Sequence, residues 1–277
     1  MSKMTLSKTV KLNNGVEMPQ VGLGVYQVKE EDQLIGAVTA AIKNGYKSID
    51  TAAIYGNEEW VGKAIKESGV PREELFITSK VWNTDQGYNE TIQAFETSLE
   101  KMDLEYLDLY LIHWPVEDKF VDTWKAMEHL YHEGKIKAIG VSNFHIHHLE
   151  TLFKETTVKP VVNQIELHPK LNQKELREFG EKHDIKIEAW SPLMRGELLD
   201  NEELKEIAEK HNKSTAQIIL RWHLQNDVII IPKSTKEHRI KENADLFNFE
   251  LTSEEMDRIN GLNEDKRVGP DPDHFDF

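Results

Sequence analysis

The sequence predicts an α/β fold, an eight-stranded (β/α)8 TIM barrel in a single domain. Three observations predict it. Short apolar runs alternate with amphipathic stretches through the 277 residues, repeating over most of the chain at roughly 25–30 residues, the beat of a β/α barrel. Most of the runs are continuous rather than alternating in polarity, as expected of parallel strands covered on both faces. No Gly/Ser/Pro-rich linker divides the chain, and barrels of this kind take about 250 residues. Residues 1–277 therefore read as one domain, with residues 263–277 as a polar, irregular tail. A doubly wound open sheet shares this alternation and is the structural rival, because periodicity does not say whether the sheet closes.

The strand candidates, in order, are Val21–Tyr26, Lys47–Thr51, Leu75–Val81, Leu107–His113, Lys137–Val141, Val161–Glu166, Lys186–Trp190 and Val228–Ile231. Helices are expected over Asp32–Lys43, Glu58–Glu67, Asn89–Lys101, Val121–Glu133 and Asn172–Lys182. In the first of these, Leu34, Val38, Ala41 and Ile42 share one face. Asn44-Gly45 and Glu133-Gly134 read as helix stops. Ser214 with Gln217, and Thr252 with Glu255, have capping-box spacing. The long interval before the last strand leaves room for an extra helix.

Composition excludes several classes. Acidic residues number 49 against 34 basic ones, for a net charge of −15, a poor basis for binding nucleic-acid phosphates. No run approaches the ~18–20 apolar residues a membrane span needs. The Met1–Leu6 stretch lacks the apolar core of a signal peptide. The chain has no cysteine, which excludes disulfides, thiol catalysis and cysteine-ligated zinc. A cytoplasmic protein is the simplest reading.

Some local patterns carry little. Gly22-Leu-Gly24 approaches a dinucleotide fingerprint but lacks the third glycine and reads as a strand entering a loop. His145, His147 and His148, like His129 and His132, have no matching carboxylate framework in the sequence. They read as solvated helix-face histidines, so no metal is expected. Neither a nucleophile elbow nor a Walker loop occurs.

The active site of a parallel barrel forms at the C-terminal ends of its strands. At three successive ends stand Asp50 with Tyr55, Lys80, and His113. These residue types suit carbonyl reduction. Hydride addition places negative charge on the carbonyl oxygen, and a proton must reach it. Tyrosine can deliver one, although its reference pKa near 10 makes it a reluctant acid. An ammonium such as that of Lys80 would lower that pKa, with Asp50 holding Lys80 charged and in place. A neutral His113 could orient the carbonyl and donate to the developing charge. Each residue alone is better read as a salt-bridge partner, a core histidine or a loop aromatic, so the weight rests on the set.

These segments resemble the aldo-keto reductase family. The likeness is carried by Gly45-Tyr-Lys-Ser-Ile-Asp50-Thr-Ala-Ala-Ile-Tyr55-Gly-Asn-Glu58, Ile77-Thr-Ser-Lys80-Val-Trp82 and Leu107-Asp-Leu-Tyr-Leu-Ile-His113-Trp-Pro115. Further on it continues through Gly134 to Phe144, Asn163-Gln164-Ile-Glu166-Leu-His168-Pro169, Ala189-Trp190-Ser-Pro-Leu193 and Ile231-Pro-Lys233-Ser-Thr235. It runs from about Val10 to about Asn263, nearest to the bacterial glyoxal/methylglyoxal reductase and 2,5-diketogluconate reductase group.

The resemblance implies a barrel that binds NADPH without a Rossmann domain. It implies Tyr55 as acid, assisted by Lys80 and Asp50, with His113 orienting the substrate. Ser142, Asn143 and Gln164 match positions that bind the nicotinamide amide. Trp190 matches the stacking aromatic, where many relatives carry tyrosine. Ser191, Leu193 and Gly196 match the pyrophosphate loop. Lys233, Ser234, Thr235 and Arg239 match the 2′-phosphate site, and Glu242 and Asn243 the adenine contacts. Two cations suit the extra dianion of NADPH, Arg239 bidentately, and a helix opening near Thr235 to Glu237 would add to the attraction.

Trp82 and Trp114 match substrate-pocket walls, and Tyr26, with Val25, can join them after the first strand. The loop after Pro115 and the C-terminal tail are short, which predicts an open site of broad specificity. The expected partner is a small carbonyl substrate such as methylglyoxal, with no nucleic acid and no membrane, and the expected form is a monomer. A keto-sugar or other ketone reductase is the alternative, and a cofactor-binding regulatory subunit is the non-enzyme one. The complete set of Asp50, Tyr55, Lys80 and His113 argues against the latter.

Overall fold

The computed structural model describes residues 6–277; the stretch through Thr5, which enters the signal-peptide argument above, lies outside them. The described chain opens on a hairpin, β1 (Thr9–Lys11) and β2 (Glu17–Pro19), paired antiparallel. It then runs β3 (Gly22–Gly24), α1 (Glu31–Lys43), β4 (Ser48–Asp50), α2 (Glu58–Ser68), β5 (Phe76–Val81), α3 (Tyr88–Met102) and β6 (Leu107–Ile112). There follow α4 (Phe120–His132), β7 (Ile136–Ser142), α5 (Ile146–Glu155), β8 (Val162–Glu166), α6 (Lys174–His183) and β9 (Lys186–Trp190). After β9 come α7 (Glu202–His211), α8 (Thr215–Gln225), β10 (Ile229–Ile230), α9 (Glu237–Ala244) and α10 (Ser253–Asn260).

Strands β3 to β10 form one parallel eight-stranded sheet in chain order among the described residues. The two ends of that sheet meet. Val21 bridges Ile230, Gly24 bridges Lys233, and the Ile230 amide donates to the Gln20 carbonyl at 3.0 Å. This seam closes a (β/α)8 barrel and excludes the doubly wound alternative. It also explains a glycine: a Cβ on Gly24 would lie 2.8 Å from the Ile231 carbonyl oxygen, too close for any other residue without a shift of backbone.

The strand runs are apolar for the expected reason. In β6 every residue is buried. Tyr110 and Ile112 face the helices, while Leu109 and Leu111 face the barrel interior with Phe76, Ala138, Val162 and Ile229, the two-residue period of a strand covered on both sides. Val10, Leu12 and Met18 of the hairpin plug this interior. Each such fully buried aliphatic side chain contributes about 1.5–3 kcal/mol of hydrophobic stabilisation. The helices supply the outer layer, α1 through Leu34, Ala37, Val38 and Ala41. Its end comes at Asn44, followed by Gly45 at φ 93°. Both expected capping boxes form, at Ser214 and Thr252. The room before the last strand holds α7 in addition to α8. Among the described residues no helix is long and apolar enough to cross a membrane.

Candidate active site

A cavity of about 880 Å³ opens at the C-terminal end of the barrel, lined from Tyr26 and Trp82 on one side to Arg239 and Asn243 on the other. Each strand delivers its residue by where it ends. Asp50 closes β4, Lys80 lies next to last in β5, and His113 follows β6 directly. Ser142 closes β7, Gln164 lies within β8, and Trp190 closes β9.

At the floor, the Lys80 ammonium donates to Asp50 Oδ1 at 2.6 Å and to the Thr51 carbonyl at 2.9 Å. Both side chains are buried. Burial pulls the lysine pKa down, but Asp50 and Tyr55 more than offset that, so the net shift is upward and Lys80 is charged. Lys80 Nζ sits 5.2 Å from the centre of the Tyr55 ring. Tyr55 itself rides on a short turn anchored by buried Asn57, which accepts from Thr51 Oγ1 at 2.7 Å and donates to the Val25 carbonyl at 3.1 Å. Burial pushes the Tyr55 phenol up to about 12, with Lys80 pulling down and Asp50 pushing up. Lys80 thus lowers the phenol pKa as expected, but burial, which the sequence did not reveal, outweighs it. His113 meets the Tyr55 ring edge-on at 5.8 Å, and burial first, then Lys80, holds its pKa well below the usual histidine value. It is a neutral imidazole, and its Nδ1 is buried without a hydrogen-bond partner.

Gln164 ties this floor to the next wall. Its Nε2 donates to Asp50 Oδ2 and to Glu188 Oε2, both at 2.8 Å, which commits both amide hydrogens and leaves Oε1 as the acceptor of a residue that lines the cavity. Glu188 did not figure in the sequence reading, because it lies inside the apolar run of β9 with no local signal. Burial, then Asp50, raises its pKa from 4.5 to about 8. Ser142 donates to the Gln164 carbonyl at 2.8 Å. Asn143, at φ 63°, donates to the His113 carbonyl at 3.0 Å and accepts from Trp190 Nε1 at 2.8 Å. That last bond fixes the indole against the cavity.

Beyond Trp190 the loop turns sharply, with Ser191, Met194 and Arg195 all at positive φ. Ser191, Leu193 and Gly196 line the cavity, as do Lys233, Ser234, Arg239, Glu242 and Asn243. Thr235 is the one expected cofactor residue that does not. Helix α9 begins just beyond it, with Lys236 as N-cap. Glu242 is held by the Ser214 hydroxyl. Arg195, Pro192, Ala216, Ile231 and Pro232 also line the cavity; they were not read from the sequence, although Arg195 and Pro192 sit in the same post-β9 loop as Ser191.

The expectation of an open mouth needs correcting. The tail is short but folds across it. The Glu166 carboxylate accepts from the Val268 and Gly269 amides at 2.6 and 3.0 Å and from His168 Nε2 at 2.9 Å. Phe277 then stacks on Trp82, with ring centroids 5.8 Å apart and planes 6° from parallel, and meets Trp114 edge-on at 5.3 Å. Asn83 donates to the Phe277 carbonyl at 3.1 Å. The aromatic end of an otherwise polar tail thus packs on large apolar faces, those of the two tryptophans.

Of the histidines at the start of α5, His147 is 60% exposed as expected, but the other two are less solvated. The side chains of His145 and His148 are only 23% and 12% exposed, and both contact Asp273 of the tail.

A closed barrel with this floor defines a carbonyl oxidoreductase. The chain belongs to the aldo/keto reductase family, whose pattern matches residues 20–264. It is 66% identical over 273 residues to glyoxal reductase of Bacillus subtilis (strain 168), spanning 99% of each chain. It is 49% identical over 270 residues to methylglyoxal reductase DkgA of Escherichia coli (strain K12), covering 96% of this chain and 97% of that one. Among solved structures, a Gox0644 variant in complex with NADPH superposes with a TM-score of 0.93 at 45% identity, covering 98% of this chain and 99% of the other.

Proposed function

We propose that this enzyme reduces small reactive carbonyls, methylglyoxal and glyoxal foremost, to alcohols. The observation that carries the reading is the sealed Asp50–Lys80 pair beneath Tyr55, with neutral His113 facing it. The names of the two reductases above support the substrate class.

The residues lining the cavity would hold NADPH along its length. Gln164 Oε1 can accept from the carboxamide, and the Trp190 ring can stack on the nicotinamide. The backbone of Ser191 to Gly196 would hold the pyrophosphate. Lys233 and Arg239, both exposed on the cavity wall, take the 2′-phosphate, and Glu242 with Asn243 the adenine. When bound, the dihydronicotinamide supplies a hydride to the carbonyl carbon. Tyr55 delivers the proton to the carbonyl oxygen. With a pKa of about 12 it is protonated across the physiological range, so the acid is always loaded. Lys80 stabilises the phenolate left behind, and Asp50 keeps Lys80 charged and aimed. His113, neutral, donates to the oxygen as its charge grows. Trp82, Trp114, Tyr26 and Phe277 close around the substrate and exclude water. A regulatory, non-catalytic role would leave this floor without purpose. The reading includes a cytoplasmic, monomeric enzyme, and light scattering tests the second point.

The test is steady-state turnover of methylglyoxal and glyoxal with NADPH and with NADH. The reading expects turnover with a preference for NADPH, and Arg239→Ala should raise KM for NADPH by about tenfold while leaving NADH nearly unchanged. NADPH binding without turnover of any carbonyl in a broad panel would sink the reading.

A further inference from the structure

We infer that His145, His147 and Asp273 form a site for a divalent transition-metal ion of the zinc type, which fastens the C-terminal tail beside the substrate mouth. His145 Nδ1 lies 3.0 Å from Asp273 Oδ2, and His147 Nε2 lies 3.0 Å from Asp273 Oδ1. The three ligand atoms lie within 4.8 Å of one another, the one such grouping among the described residues. Zinc with nitrogen and oxygen ligands at about 2.0–2.1 Å places tetrahedral neighbours some 3.3 Å apart, so small side-chain rotations suffice.

The local backbone makes this possible. Residues two apart on a helix point in different directions. His145, however, is the N-cap of α5, in extended conformation at φ −78° and ψ 170°. It therefore stands before the first turn and swings towards His147. His148 holds the arrangement. Its Nδ1 accepts the His145 backbone N–H at 3.0 Å, so in the neutral ring Nε2 carries the proton, and that nitrogen lies 3.5 Å from Asp273 Oδ1. A protonated Nε2 at that distance favours the charged carboxylate that a metal ion needs. Two imidazoles and one carboxylate select zinc-like ions over magnesium or calcium, which prefer all-oxygen sites.

One neighbour works against the ion. Arg267 donates to His145 Nε2 at 3.2 Å. Ligation through Nδ1 moves the His145 proton to Nε2, and Arg267 must then release it. An ion here ties α5 to a tail whose Phe275 packs on Trp114 and whose Phe277 packs on Trp82. Metal occupancy thereby restrains the aromatic cover of the mouth.

The test is isothermal titration of the untagged, chelator-stripped full chain with Zn²⁺, and with Mg²⁺ for comparison. The absence of cysteine removes thiolate competition. One equivalent of Zn²⁺ and no Mg²⁺ should bind. His147→Ala, at a position 60% exposed where folding is not at risk, should weaken Zn²⁺ at least about tenfold, and Asp273→Asn likewise. Arg267→Ala should tighten it, while His132→Ala should leave it unchanged. Equal Zn²⁺ affinity in wild type and His147→Ala, or weaker binding in Arg267→Ala, overturns the assignment.

Discussion

Lys80 Nζ stands 2.6 Å from Asp50 Oδ1, with neither side chain more than 3% exposed. A buried ion pair contributes little net stability relative to an apolar pair, but loss of one partner strands the other charge in a low dielectric. Lys80→Met should therefore cost about 3–5 kcal/mol of stability as well as abolishing turnover. The double variant Asp50→Asn with Lys80→Met should regain most of the stability and none of the activity. Urea unfolding of the three proteins separates the two effects. A Lys80→Met protein as stable as wild type would contradict the sealed pair.

Glu188 makes a second, pH-dependent contribution. Its pKa rises from 4.5 to about 8 in the folded chain. Between those values the folded state holds a proton that the unfolded state has lost. The Glu188 contribution is thus full below pH 4.5, declines as pH rises towards about 8, and is lost above. Glu188→Gln removes this slope. Plotted as the difference in unfolding free energy between the two proteins, the advantage of the variant should grow from pH 5 to pH 8 and then level off. A flat difference would mean that Glu188 ionises normally.

The tail predicts two separable defects. A Cβ on Gly269 would fall 2.3 Å from the Trp190 ring and 3.0 Å from Glu166 Oε2. Gly269→Ala should displace the indole or the tail and weaken NADPH binding several-fold, read by tryptophan fluorescence. Phe277→Ala removes the cover over Trp82 and Trp114 without touching Trp190. It should raise KM for methylglyoxal, improve bulky aldehydes relative to small ones, and leave NADPH affinity unchanged. Identical effects from the two variants would show that tail and cofactor wall are not distinct.

How much of this was legible in the sequence depended on the range of each interaction. Leu107–Ile112 could be read as a strand because both of its faces are buried, leaving an unbroken apolar run. Asp50, Lys80 and His113 could be placed together because a parallel barrel gathers its strand ends, whereas Trp82 and Trp114 were assigned to the pocket by the resemblance to the aldo-keto reductases. The β1–β2 hairpin went unread although Asn14-Gly15 is a turn signal between Val10-Lys-Leu12 and Val16-Glu-Met18. Glu188 was hidden because a protonated acid in an apolar strand leaves no pattern. The tail was misjudged for another reason. Its contacts join Glu166 to Val268, and Asn83 to Phe277, across more than a hundred residues of chain, and no local spacing encodes them. The His145 and Asp273 pairing belongs to the same class.

The central claim is that Tyr55 carries the proton. Its most direct test is Tyr55→Phe, measured for NADPH affinity by fluorescence and for kcat with methylglyoxal. NADPH affinity should be unchanged and kcat should fall by about 10²–10⁴-fold, the worth of a positioned general acid. A Tyr55→Phe enzyme that binds NADPH and turns over within about tenfold of wild type, below the range for such an acid, would contradict it and move the proton donor elsewhere in the site.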